Sequence, residues 1–192
     1  LEVIRILEAV TEKGIAKPGG NLSLEEEISL LRRAINSNKL SIVQQVLSQH
    51  SFRLEALNAG LISAAEGSSS VRSDMLALLL DAGAEINTVD TLRQGTALYH
   101  AVRYENSLAV QLLLSRGANP NIPDEYKRSA LYIAQEDDTP SQETIKIIRI
   151  LKPLTDPSLW FVVTPEVMFA RAVKHGNKEE VRSALDADEQ AF

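Results

Sequence analysis

The sequence contains no cysteine, few aromatic residues and no excess of basic residues. Without cysteine, a disulfide, a thiolate metal site and a cysteine nucleophile are all excluded. Aromatic residues make up 5% of the 192 residues, so the core is predicted to consist of leucine, isoleucine, valine and alanine. The formal net charge of -6 argues against nucleic acid as a partner, because nucleic-acid-binding domains carry a strong basic excess.

Long apolar runs are also lacking. The longest one, at residues 75–80, has six residues, whereas a membrane-spanning helix needs about 20. We therefore expect no membrane insertion. The absence of cysteine fits an intracellular location, either cytoplasmic or nuclear. The chain opens on an apolar helical pattern without an initiating methionine, so we expect it to be cut from a longer protein.

Apolar residues recur along the chain at a nearly constant spacing. Five leucines are separated by 33, 34, 37 and 34 residues: Leu47, Leu80, Leu114, Leu151 and Leu185. An alanine precedes each of them within an apolar helical stretch: Ala34, Ala64, Ala101, Ala134 and Ala172. Such a period predicts stacked copies of one structural unit. The alanines are expected where helices approach closely, because only a small side chain fits there and alanine favours helix.

Each unit has the pattern of two short helices, because its apolar residues lie three and four positions apart. Ser23 with Glu26, and Thr139 with Gln142, match the capping box that begins a helix. Two glycines are predicted to end second helices in the left-handed conformation: Gly83 and Gly117.

The spacing divides the chain into one half unit and five full units. The half unit is predicted at residues 1–10. The full units are predicted at 23–53, 54–89, 90–123, 124–158 and 164–192. Since the half unit lacks its partner helix, we expect it to pack against upstream repeats or against another chain.

Three segments near the middle of the chain carry short motifs. Residues 95–101 read GTALYHA, residues 117–121 read GANPN, and residues 83–87 read GAEIN. They resemble the G-x-T-P-L-H-x-A opening and the G-A-D-x-N ending of the ankyrin-repeat family, without the family's proline and with Tyr99 in place of its histidine. The resemblance implies an all-α solenoid with short hairpins, made of about five helix-turn-helix units and an N-terminal half unit.

The chain also departs from the family pattern. Asp90 and Asp124 resemble the aspartate that opens each hairpin, but one residue is added between Asp90 and Thr96, so that tip is expected to bulge. Longer loops between the two helices of a unit are expected at 67–73 and 136–143, because the apolar spacing within these two units is three and four residues longer than in the others. Irregular connections are expected in place of hairpins at 11–22 and 152–163.

The resemblance implies a non-catalytic module that binds another protein on the concave surface of its hairpins and first helices. By resemblance, the contact positions are Leu92, Arg93, Arg103, Tyr104, Tyr126, Arg128, Glu136, Lys174 and His175. The arginines and tyrosines among them suit a partner with acidic and apolar features, since local patches direct binding more than total charge. The alternative is a scaffold or regulatory segment of a larger enzyme or receptor whose active domain lies elsewhere.

No motif predicts a catalytic residue, a cofactor site or a metal site. The three histidines, His50, His100 and His175, lack the spacing of zinc ligands. The acidic run at 136–138 lacks the glycine turn and the spaced ligands of a calcium loop. His100 is interpreted as a packed or hydrogen-bonded residue beside Ala101 rather than as a catalytic base.

Two aromatic pairs leave alternatives open. Tyr99 and Tyr132 occupy equivalent places on two first helices. They either pack inside, with the hydroxyl tied to a neighbouring hairpin, or form a tyrosine pair at the rim of the binding groove. Trp160 and Phe161 either fill the gap left by an irregular hairpin or form an exposed anchor for a partner, as aromatic residues do at many interfaces.

Overall fold

The computed structural model describes residues 22–136 and 140–159, and these ranges contain eight α-helices. The helices form four pairs: α1 Leu24–Asn36 with α2 Leu40–Gln49, α3 Leu54–Ala65 with α4 Ser70–Asp81, α5 Ala97–Arg103 with α6 Ser107–Ser115, and α7 Ala130–Ala134 with α8 Gln142–Leu151. A 3₁₀ turn follows at Pro157–Leu159. The predicted half unit at 1–10 and the fifth unit at 164–192 lie outside the described residues.

The eight helices pack in two layers. The first helices α1, α3, α5 and α7 contact one another in succession, and so do the second helices α2, α4, α6 and α8. The described residues contain no β-strand, and one isolated antiparallel bridge joins Val89 to Thr96. The all-α architecture of stacked helix-turn-helix units is therefore confirmed. None of the described helices is long and apolar enough to cross a membrane.

The recurring alanines line the core. Four of them are at most 3% exposed: Ala34, Ala64, Ala101 and Ala134. Three positions earlier, a leucine is at most 1% exposed in each unit: Leu31, Leu61, Leu98 and Leu131. Residues three apart share one face of a helix, so this face of every first helix points into the core. Ala172 lies outside the described residues.

The predicted helix starts are correct at one end of the stack and wrong at the other. At α1 the capping box is present, because Ser23 Oγ accepts from the Glu26 amide at 3.3 Å and Glu26 Oε2 accepts from the Ser23 amide at 2.7 Å. At α8 the helix begins at Gln142, and its cap is Ser141, whose Oγ accepts from the Thr144 amide at 3.1 Å. A hydroxyl at Thr139 or at Ser141 could accept a hydrogen bond from a free amide in the first turn of a helix, and in the structure Ser141 is the residue that does so.

Glycine ends two second helices, as predicted. Gly83 has φ of 105° and Gly117 has φ of 91°, both in the left-handed region. After each glycine, the next amide reaches back five residues, from Ala84 to Leu79 O at 3.0 Å and from Ala118 to Leu113 O at 2.9 Å. This is the Schellman arrangement, which satisfies a carbonyl left free at the helix end.

The loops between helices are shorter than the sequence suggested. Residues 70–73 belong to the first turn of α4, and the loop that precedes it ends at Ser69. Likewise, Gln142 and Glu143 belong to α8. Part of the added length therefore belongs to the first turns of the second helices, where serine is favoured as well as in loops.

Candidate protein-binding surface

The first hairpin, residues 88–96, carries the extra residue that the sequence predicted. Its closing bond runs from the Asp90 amide to Gly95 O at 3.0 Å and spans five positions. In the second hairpin, the equivalent bond from the Asp124 amide to Arg128 O, also 3.0 Å, spans four. The tip of the first hairpin is therefore one residue longer.

The Asp90 carboxylate holds the first hairpin together. Its Oδ1 accepts from the amides of Leu92 at 2.8 Å and Arg93 at 2.7 Å, and its Oδ2 accepts from the Gly95 amide at 3.0 Å. His100 on α5 also reaches Oδ2, with Nε2 at 2.8 Å. These four contacts fix the hairpin tip on the first-helix layer.

His100 is packed and hydrogen-bonded, as predicted. It is 7% exposed, and its ring meets the Tyr99 ring edge-on with 5.3 Å between centroids. Its Nδ1 lies 3.7 Å from Glu66 Oε1 at the end of α3. The imidazole therefore lies between carboxylates from two elements, Asp90 in the hairpin and Glu66 beside the preceding helix.

Replacing Asp90 with asparagine should destabilise the chain at neutral pH and have less effect in acid. Burial alone would raise the pKa of Asp90, but hydrogen bonds from the Arg93 amide, His100 and the Leu92 amide lower the pKa below its ordinary value of 3.8. The folded chain therefore favours the charged carboxylate, and this stability is present above the unfolded pKa and lost as the pH falls through the folded pKa.

We expect Asp90→Asn to lower the free energy of unfolding by about 1–2 kcal/mol at pH 7, because hydrogen bonds to a charged group are lost. Urea titrations at neutral pH and at a pH below the pKa of Asp90 would measure the difference in the free energy of unfolding between wild type and variant. Asp74→Asn, an exposed change on α4, should alter stability by less than about 0.5 kcal/mol. Equal destabilisation by Asp90→Asn at both pH values would contradict this account.

Asp124 organises the second hairpin, residues 122–129, in a related way. Its Oδ1 accepts from the amides of Tyr126 and Arg128, both at 2.9 Å, and its Oδ2 accepts from Arg128 Nε at 2.9 Å and Nη2 at 2.7 Å. The Arg128 guanidinium also lies 4.9 Å from the centre of the Tyr126 ring, and its Nη2 donates to the Tyr99 hydroxyl at 3.5 Å.

Arg128 is therefore occupied by contacts within the chain. Its side chain is 15% exposed, and its Nη1 lies 3.8 Å from Glu136 Oε1. Burial alone would lower the pKa of Arg128, but the hydrogen bonds and charge of Asp124 outweigh burial and raise the pKa above its ordinary value. The guanidinium consequently remains charged and joins the second hairpin to Tyr99 on α5.

Neighbouring units are joined by backbone hydrogen bonds near the hairpins. The Glu125 amide donates to Arg93 O at 2.9 Å, which links the tips of the two hairpins. Three asparagine side chains accept a hydrogen bond from a distant backbone amide: Asn58 from Glu85 at 2.8 Å, Asn87 from Asn119 at 2.9 Å, and Asn121 from Asp156 at 2.8 Å. The last two join neighbouring units. The bond between Glu125 and Arg93 connects the tips of the two hairpins into one surface.

Two grooves adjoin the hairpins. The apolar groove has a volume of about 570 Å³ and lies between α1, α3 and the first hairpin. Its apolar lining consists of Ile28, Ala59, Ile62, Val89 and Leu92. The arginine groove has a volume of about 560 Å³ and lies between α5, α7 and the hairpins. Its charged lining consists of Arg93, Arg103, Glu105, Arg128 and Glu136.

The ankyrin repeats family model, which spans three copies, matches residues 30–124 and 61–157. The matched part covers more than half of the chain. The chain belongs to the ankyrin-repeat family. Ankyrin repeats are in general protein–protein interaction modules without catalytic activity of their own, and the two grooves lie on the side where this chain presents its hairpins.

Several ankyrin proteins are similar to this chain. Ankyrin repeat protein FPV018 of Fowlpox virus is 40% identical over 77 residues, and ankyrin repeat protein nuc-2 of Neurospora crassa is 41% identical over 61 residues. These matches cover 40% and 32% of this chain, but 10% and 6% of those relatives. The crystal structure of the ankyrin repeat domain of Bcl-3, a member of the IkappaB protein family, has a TM-score of 0.60 at 26% identity, covering 82% of this chain and 69% of that one.

Five of the predicted contact residues are exposed on these ankyrin repeats. Leu92 is 84% exposed, Tyr126 54% and Tyr104 45%, and the side chains of Arg93 and Arg103 are also exposed. We call these five residues the hairpin face. Arg128 and Glu136 lie beside it but contact each other, whereas Lys174 and His175 lie outside the described residues.

The two tyrosines on first helices are core residues. Tyr99 is 2% exposed and Tyr132 is 6% exposed, so a tyrosine pair at the groove rim is excluded. The Tyr99 hydroxyl accepts from Arg128 of the next hairpin, which confirms the packing interpretation for that residue. Trp160 and Phe161 lie outside the described residues.

Sequence reasoning missed the apolar groove and several buried polar residues. Ile28 and Ile62 line that groove from two different units, and no local pattern indicates that they face the same space. Glu27, which is 5% exposed, accepts from the Arg53 amide at 2.9 Å and from Arg53 Nε at 3.0 Å. Glu27 therefore pairs with the arginine that precedes α3, whose side chain is 50% exposed.

Proposed function

We propose that the hairpin face binds another protein and that the chain acts as a non-catalytic binding module. The observation that carries this proposal is the exposure of Leu92, Tyr104 and Tyr126 on a surface whose backbone is held by hydrogen bonds. Covering large apolar side chains with a partner removes their surface from water, which makes the free energy of binding more favourable. Because the hairpins are already ordered, little conformational entropy is lost on binding.

The double change Arg103→Ala with Tyr104→Ala should weaken binding by about 30-fold or more, since loss of an arginine or tyrosine hot spot costs about 2 kcal/mol or more. The melting temperature should change little, because both side chains are exposed. Proteins captured from a cell extract by the immobilised chain would be identified by mass spectrometry. Each purified partner would then be titrated against wild type and variant.

The matched control is Leu108→Ala with Gln111→Ala. Both residues are exposed on α6, in the second-helix layer, and neither lines a groove. The control should bind every partner as wild type does. Binding that is lost in the control and retained in the hairpin-face variant would place the interface on the second helices and refute the proposal.

A second candidate function is that of a scaffold or regulatory segment within a larger protein. The matched relatives favour it, because this chain spans only 10% and 6% of two of them. In that case the hairpin face would position an enzyme or receptor domain of the same polypeptide. Mixing the chain with the remaining part of the full-length protein would test for binding in trans, and no binding would argue against it. The intracellular location stays a prediction from composition.

A further inference from the structure

We propose that the partner presents an acidic peptide segment, which pairs a carboxylate with Arg93 and Arg103 and places an aliphatic side chain in the apolar groove. This inference rests on the proposed function and adds the chemistry of the partner. It depends on which charged side chains around the two grooves already form ion pairs or hydrogen bonds within the chain.

The arginine groove holds two arginines that form no ion pair with the described residues. Arg128 is occupied by Asp124 and Glu136, and the Glu105 carboxylate accepts a hydrogen bond from the Ser141 hydroxyl. Arg93 and Arg103 line the same groove, and neither forms an ion pair with any residue in the described ranges. A guanidinium binds a carboxylate through two parallel hydrogen bonds, so a carboxylate is the group that completes this site.

Arg93 and Arg103 are carried by backbone segments that form hydrogen bonds or a helix. The Arg93 amide donates to Asp90 Oδ1 at 2.7 Å, and Arg93 O accepts from the Glu125 amide at 2.9 Å. Arg103 is the last residue of α5. A partner therefore meets two cations whose attachment points are already fixed, which reduces the entropy lost on binding.

The apolar groove determines the other half of the ligand. Arg93 lines both grooves, so they adjoin at this residue. Ile28, Ile62 and Leu92 in the apolar groove favour an aliphatic side chain. The charged lining of this groove has three carboxylates, from Glu55, Glu66 and Asp90, and two arginines, Arg32 and Arg93. The excess of carboxylates disfavours an acidic residue there and directs it toward Arg103.

The net charge of -6 does not oppose this arrangement at physiological salt. Charges separated by more than about 8 Å in solvent are largely screened at physiological ionic strength. The partner's carboxylate therefore responds mainly to the charged groups of the arginine groove, where Arg93 and Arg103 form no ion pair with the described residues, whereas acidic residues far from this groove act weakly. Binding should consequently weaken as salt is raised, because the local attraction is also screened.

A phage-displayed library of random dodecapeptides, selected on the immobilised chain, would test the inference. We expect the enriched peptides to combine aspartate or glutamate with leucine, isoleucine or valine. A synthesised peptide should bind the Arg93→Ala, Arg103→Ala double variant about ten-fold or more weaker, as for the loss of about 1.4 kcal/mol. Replacing the peptide's acidic residues by their amides should weaken binding to wild type by a similar factor.

The charge-matched control is Arg116→Ala with Arg149→Ala, which removes two arginines from the C-terminal end of α6 and from α8. Thermal melts would verify that both double variants are folded. The control should retain most of the affinity. If it loses as much affinity as the groove variant, general charge attraction explains the binding and the inference is wrong.

The outcomes separate this inference from the proposed function. Enrichment of basic or uncharged peptides, or no enrichment at all, overturns the acidic ligand. If captured proteins still lose binding to the Arg103→Ala, Tyr104→Ala variant in that case, the hairpin face remains the interface and only the ligand chemistry is wrong. If captured proteins bind that variant normally, the proposed function fails and this inference fails with it.

Discussion

Asn106→Ala should lower the free energy of unfolding by about 2–3 kcal/mol, because one side chain caps a helix and also holds the loop of the preceding unit. Asn106 is 3% exposed and is the N-cap of α6, where its Oδ1 accepts from the Ala109 amide at 3.0 Å. Its Nδ2 donates to Gly67 O at 2.8 Å, in the loop between α3 and α4.

Two variants separate these roles. Asn106→Ser retains a cap acceptor and loses the bond to Gly67, so its stability should lie between those of wild type and Asn106→Ala. Asn36→Ala removes an exposed asparagine whose Oδ1 accepts from Arg72 Nη2 at 3.2 Å, and it should cost less than about 0.5 kcal/mol.

Urea denaturation measures the three free energies, and hydrogen exchange of the Ala109 amide reports on the cap. The amide should exchange faster in Asn106→Ala than in Asn106→Ser. A serine variant as stable as wild type would show that the bond to Gly67 contributes nothing. An alanine variant within 0.5 kcal/mol of wild type would refute both roles.

Ala101→Leu should destabilise the chain by about 1–3 kcal/mol, because three carbons are added where no space exists. Ala101 is 0% exposed and belongs to the core cluster. Its helix, α5, contacts α3 and α7 in the same layer and its own partner α6, so packing restricts movement on several sides. Interiors of this kind are close-packed, and the larger side chain has to displace helices or adopt a strained rotamer.

Arg103→Ala is the matched control for Ala101→Leu. Arg103 lies two residues further along the same helix and is exposed, so its loss should alter stability by less than about 0.5 kcal/mol. Thermal melts of both variants decide the comparison. A larger loss of stability in Arg103→Ala would mean that the face of α5 assigned to the core is wrong.

The predicted contact residues differ in whether their side chains form ion pairs within the chain, because such pairs depend on residues brought close by the fold. Arg93 and Arg128 both lie in hairpins and both were predicted to contact a partner. Arg128 is bound by Asp124 and packs on Tyr126, whereas Arg93 has no ion pair within the described residues and remains exposed. Residue type and position in the repeat do not distinguish the two arginines.

The sequence by itself determined the repeat period, the two-helix unit and the family. These features depend on local relationships, since apolar residues three and four apart define a helix face and a glycine at a helix end adopts positive φ. The buried Ala101, the cap at Ser23 and the end at Gly117 follow from such relationships.

Only the tertiary structure decided which polar side chains form hydrogen bonds or ion pairs within the chain, and where the grooves lie. Asn106 meets Gly67 across 39 positions, Arg53 meets Glu27 across 26, and Arg93 separates two grooves built from different units. The physical reason is that stacking places side chains from successive units within hydrogen-bonding distance. Their pairing, and therefore the charge left for a partner, depends on three-dimensional contacts that no local pattern encodes.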